Sequence, residues 1–138
     1  MTLTKKTDLG TVTLSDNIIA EILSDVFQEA SYSNRIWLST RRGRMITKML
    51  YLSDSELKRS IDCTFDEQGR VRLRFSVVVQ FGISIRRVTR IIADRVAERI
   101  EEALGFPPSV ITIEIAGVRS RQMARRNTKV VYRYDHHG

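Results

Sequence analysis

The chain has 138 residues, 42% of them apolar, and a formal net charge of +7 at neutral pH. That suits one folded domain with its own core and excludes global disorder. A single cysteine, Cys63, excludes an internal disulfide and points to a reducing compartment. No apolar stretch approaches the ~18 residues of a membrane span. The opening Met-Thr-Leu-Thr-Lys-Lys lacks the apolar region of a secretory signal, so the expected location is cytoplasmic. Any service to a membrane would be peripheral, from its inner face or through a partner.

Residues 1–8 are polar and predict a flexible N-terminus. Thr11 to Leu14 reads as a short strand, with Ser15 as a helix cap behind it. Ile18, Ile19, Ile22, Leu23, Val26, Phe27 and Ala30 recur at helical spacing and predict a helix from Asp16 to Ala30. Residues 31–57 give no clear period: Ile36, Trp37 and Leu38 form an apolar knot, and Met45 to Leu52 fits a strand or a helical turn equally. Ile61, Cys63 and Phe65 then alternate, as do Val71, Leu73, Phe75, Val77, Val79 and Phe81. Asp66-Glu-Gln-Gly69 between them predicts an antiparallel hairpin whose glycine supplies a positive φ. Ser84 can cap a second helix with an apolar stripe of Ile85, Val88, Ile91, Ile92, Val96, Ile100, Ala103 and Leu104. Gly105 and Pro107-Pro108 end it, and Ile111, Ile113 and Ile115 form a last strand stopping near Gly117.

The order β-α-β-β-α-β predicts an α+β two-layer sandwich, with two helices on one face of a small mixed sheet. The stretch 119–138 is a basic C-terminal extension, either a tail or an added edge strand.

The charge is unevenly spread. Residues 35–48 carry five basic groups and residues 119–133 six, with no acid in either block. Such blocks attract nucleic acid, anionic lipid or acidic proteins, or simply keep the surface solvated. Arg86 and Arg87 fall in the first turn of the second helix, where positive charge opposes the helix dipole. With Arg90 one turn on, they form a candidate anion or partner-binding patch. Arg41, Arg42, Arg44 and Lys48 form a second. Arg121, Arg125, Arg126, Lys129 and Arg133, interleaved with Tyr132 and Tyr134, form a third that could hold single-stranded nucleic acid. For each, the plain alternative is exposed cations screened by solvent.

Catalytic chemistry finds no foothold. There is no phosphate-binding glycine loop. His136 and His137 stand at the C-terminus without a supporting shell for a metal. Cys63 alternates with Ile61 and Phe65, as a buried thiol would, and no internal histidine can act as its base. No catalytic residue, cofactor or metal is expected.

The segment from Phe75 to Val118 resembles the alkaline-shock-protein family, a bacterial group once known as a domain of unknown function. The resemblance is carried by Val77-Val78-Val79, Phe81-Gly82, Val88 and Val96, Gly105, and Gly117-Val118. Gly10 to Ser15, followed by Ile18, Ile19 and Ile22, is similar to the family's opening strand and helix. Together these mark residues 9–118 as the family-like domain. Where many members carry a proline-acidic pair at the start of the second helix, this chain has Arg86-Arg87.

The resemblance implies a non-enzymatic interaction or scaffold protein of the envelope stress response or envelope homeostasis. It would work through a protein partner, which in some members is membrane-anchored. It also implies an alternative, regulation of acetyl-CoA carboxylase and fatty-acid synthesis. The basic segments keep open a nucleic-acid-binding module, and a homo-oligomer stays open beside the protein partner.

Overall fold

The computed structural model describes residues 2–7, 10–29, 35–43, 60–120 and 123–134. Strands β1 (Thr2–Thr7) and β2 (Gly10–Ser15) form an antiparallel two-stranded sheet running from Thr2 opposite Ser15 to Thr7 opposite Gly10. The polar lead-in expected at residues 1–8 is thus strand over Thr2–Thr7. Its threonines suit a pleated ladder, and Thr4 faces Thr13 across it.

Helix α1 (Asp16–Phe27) is about one turn shorter than its apolar spacing predicts. Glu29 N–H donates to the Val26 carbonyl at 3.3 Å, a tightened bond that closes the last turn. Ile19, Ile22, Leu23 and Val26 are buried, while Ile18 remains at the surface. The apolar knot that follows is strand β3 (Ile36–Ser39). Met45 to Leu52 lies outside the described residues.

Strands β4 (Ile61–Phe65) and β5 (Val71–Gln80) make the expected hairpin. The Asp66 carboxylate accepts the backbone N–H groups of Gln68 at 3.0 Å and Arg70 at 2.8 Å, and Gly69 takes φ +77°. Helix α2 (Ile85–Leu104) begins where Ser84 Oγ accepts the Arg87 N–H at 3.3 Å. It ends at Gly105, left-handed at φ +85°, whose N–H reaches the Glu101 carbonyl at 2.7 Å.

The buried stripe of α2 is Val88, Thr89, Ile92, Ala93, Val96, Ala97 and Ile100. Ile91 and Ala103, expected in it, are exposed. The inward face pairs each large residue with its small neighbour at 89, 93 and 97.

Strand β6 (Val110–Arg119) runs parallel to β5, and β7 (Met123–Arg133) runs antiparallel to β6. The C-terminal extension is therefore an edge strand over this range. The mixed five-stranded sheet has the order β3-β5-β6-β7, with β4 also on β5. Strands β3 and β4 divide one edge of β5: β3 lies beside Ser76–Val79, and β4 beside Val71–Phe75. In β6, Ile115 faces Val77 and Gly117 faces Val78, so Ala116 is the extra residue of a β-bulge. Beyond it Val118 still packs against the core.

Both helices cover one face of this sheet. Val71, Leu73, Phe75, Val77 and Val79 point into that layer with Ile111, Ile113, Ile115 and the Cys63 thiol, all buried. Phe75 at the centre meets Phe27 edge-on, with ring centroids 6.0 Å apart. Ion pairs tie α2 to α1 and to the residues just past it, Arg99 to Asp25 at 2.9 Å and Arg95 to Glu29 at 3.0 Å. The α+β class, the mixed sheet and the order of elements agree with the sequence reading.

Candidate partner-binding surface

Ser84 holds the first turn of α2, which carries no acidic residue. Arg86 and Arg87 project from it, exposed. Neither makes a side-chain hydrogen bond or ion pair with the described residues. Arg90 differs: it pairs with Asp94 at 3.3 Å, and its guanidinium lies 5.6 Å from the centre of the Tyr132 ring. Tyr132 belongs to β7. Its hydroxyl lies 2.7 Å from Thr89 Oγ1 and donates to the Arg86 carbonyl at 3.3 Å. Tyr134 donates its hydroxyl to Asp94 at 3.0 Å. Burial first, and then the Asp94 carboxylate beside it, push that phenol well above its usual range. Tyr132, and Tyr134 just past the end of the strand, thus bind β7 to the first half of α2, beside Arg86 and Arg87.

Just before α2, Phe81 is 72% exposed on a turn where Gly82 takes φ +89°. Its N–H donates to the Arg119 carbonyl at 2.8 Å. The Arg119 guanidinium in turn lies 5.2 Å from the centre of the Trp37 ring.

The sheet face turned away from the helices carries a second set of charges. The even positions of β5 place Arg72 and Arg74 there. Arg74 pairs with Glu114 of β6 and stands 4.0 Å from Asp62 of β4, which also pairs with Arg41. This Arg41–Asp62–Arg74–Glu114 chain is internally balanced. Beside it opens a groove of about 510 Å³ lined by Thr64, Arg72, Thr112, Lys129, Val131 and Arg133 among others. Arg72, Lys129 and Arg133 are exposed and form no ion pair among the described residues.

The sequence-predicted patches are therefore not equivalent. Arg86, Arg87 and Arg90 do share one turn region, but Arg90 is already engaged. Arg41 is bound to Asp62, Arg42 is exposed, and Arg44 with Lys48 lies outside the described residues. Arg125 and Arg126 fall on β7, Arg125 at the register position opposite Gly117. His136 and His137 lie outside the described residues. Among those described, no group of three or more His, Cys, Asp or Glu side chains could hold a metal ion.

Pattern reading passed over Arg72 and Arg74. Their signal was present in the polar half of the β5 alternation, which marks a second sheet face as clearly as the apolar half marks the core.

The model of the alkaline shock protein family, described as having a cell envelope-related function, matches residues 4–120. The chain belongs to this family. The match ends before β7, so the tyrosine-docked edge strand lies beyond the part shared with the alkaline shock protein model. No curated protein and no solved structure matches the chain.

Proposed function

We propose that this alkaline shock family chain is a non-catalytic interaction protein that serves the cell envelope by binding other proteins. The family match over residues 4–120 carries the reading. The surface chemistry supports it: cations with no ion pair among the described residues flank an open groove and the start of α2, and such fields draw acidic surfaces together. Under this reading the binding residues are Arg86, Arg87 and Arg90, then Arg41, Arg42 and Arg44, and Arg125 and Arg126. The protein acts in the cytoplasm, at the inner face of the membrane when a partner holds it there. No helix among the described residues is long and apolar enough to cross a membrane.

The test is crosslinking in cells followed by purification of the tagged full chain. Envelope proteins should be recovered, and their yield should fall when the arginines are reversed in charge. Recovery of ribosomes and RNA alone would refute the reading and favour nucleic-acid binding, with its steep salt dependence. Recovery of lipid-synthesis enzymes alone would favour regulation of acetyl-CoA carboxylase.

A further inference from the structure

We propose that the outer edge of β7 takes an extended acidic segment of a partner protein as an added strand of the sheet. The inference rests on the protein-binding reading above and specifies the chemistry of the partner.

Among the described residues β7 pairs with β6 alone, so its far side is a sheet edge. It is 11 residues long, whereas edges left bare in proteins are usually short or distorted. Lys129, Val131 and Arg133 alternate along it and face the groove, with Arg72 of β5 behind them. Val131 is 46% exposed between the two cations. A strand laid against β7 would set one side chain opposite each of these, about 5 Å away between Cβ atoms. The complementary pattern is acid, any residue, apolar, any residue, acid.

The same charges argue against the other occupants. Strand β7 carries Arg125, Arg126, Lys129 and Arg133 and no acid, so two copies joined edge to edge would stack cation against cation. Nucleic acid would find no aromatic ring to stack on among the described residues that line the groove. A peptide backbone alone supplies the alternating N–H and C=O groups that the edge of β7 can pair with.

The experiment is fluorescence polarisation of the intact chain with a labelled peptide centred on Glu-Thr-Val-Thr-Glu. Three probes accompany it: its Lys-Thr-Val-Thr-Lys counterpart, the acidic peptide N-methylated at alternate residues, and an oligouridine. The acidic peptide should bind, and N-methylation should weaken it by about tenfold or more. The double variant Lys129→Glu, Arg133→Glu should weaken it as much, with an unchanged circular dichroism spectrum. If that variant misfolds, Lys129→Gln with Arg133→Gln should give a smaller loss in the same direction. Equal binding of the lysine peptide, or of the N-methylated one, overturns the proposal. So does tighter binding of oligouridine that the same variants abolish. Loss of peptide binding while envelope proteins still co-purify would sink this inference alone, whereas recovery of ribosomes and RNA alone would sink the functional reading.

Discussion

The contact between Thr89 and Tyr132 ties β7 to helix α2 in addition to its ladder with β6. Tyr132→Phe removes a hydroxyl that lies 2.7 Å from Thr89 Oγ1 and bonds the Arg86 carbonyl at 3.3 Å. One such bond is worth about 1 kcal/mol net. Thr89→Val keeps the shape of a wholly buried side chain and removes its hydroxyl, which also bonds the Ile85 carbonyl at 2.6 Å. The Tyr132 hydroxyl then retains the Arg86 carbonyl, so it is not stranded, and the cost is again about 1 kcal/mol. Because both substitutions delete the shared bond, the double variant should lose about 1.5 kcal/mol rather than the sum, a coupling of about 0.5 kcal/mol. Urea unfolding followed by circular dichroism measures all four states, and the m-value should not change. Costs that add to within about 0.3 kcal/mol would show that the hydroxyls do not cooperate. Variants unfolding at the wild-type midpoint would refute a net contribution of this contact to stability.

Other outcomes follow from the same geometry. Phe75→Ala empties the centre of the core, where the side chain is wholly buried, and should cost about 3–5 kcal/mol in urea titration. The Asp66 carboxyl is pushed up by burial. Backbone N–H donors at Arg70 and Gln68, the Ser109 hydroxyl and the charge of Arg72 outweigh that and hold it below its ordinary 3.8. Its contribution is therefore complete above the unfolded value and is lost as pH falls through the lower folded value. Asp66→Asn should accordingly lose stability relative to wild type at neutral pH, with the gap closing in acid, as thermal melts across the acid range would record. Replacing Arg86 and Arg87 together by alanine should stabilise α2 by about 0.3–1 kcal/mol per residue at low salt and less at high salt. A destabilisation at low salt would mean that these arginines have structural partners.

The helices, the hairpin and the glycine stops were legible because each depends on neighbours in sequence. Ser84, Gly69 and Gly105 act within their own turns. The strand Ile36–Ser39 was not legible, since its four residues form no period and gain their order from pairing with Val77 and its neighbours on β5. The same holds for β7, whose polar composition hides the core contacts of Tyr132 and Tyr134. Arginines were visible as a set, but their division was not. Arg41 and Arg74 are spoken for by Asp62 and Glu114, which stand far away in sequence. Arg72 and Lys129, indistinguishable from them by composition, face the groove with no such partner among the described residues.

The bulge at Ala116 gives β6 one residue of slack. On either side of it the strand keeps its facing: Ile115 and Val118 meet the core, and Gly117 sits opposite Val78. Removing Ala116 would leave Ile115, Gly117 and Val118 in unbroken register with Val77, Val78 and Val79 of β5, but it would widen the shift against β7, where two residues, Arg126 and Asn127, already stand opposite it. Removing Thr112 or Glu114 instead would rotate every residue on one flank to the wrong face. A one-residue deletion in β6 is therefore compatible with the β5 ladder at that point alone, and its cost falls on β7 and on other neighbours fitted to the bend. One is Gly43, where an added Cβ would come within 3.3 Å of the Ala116 carbonyl oxygen.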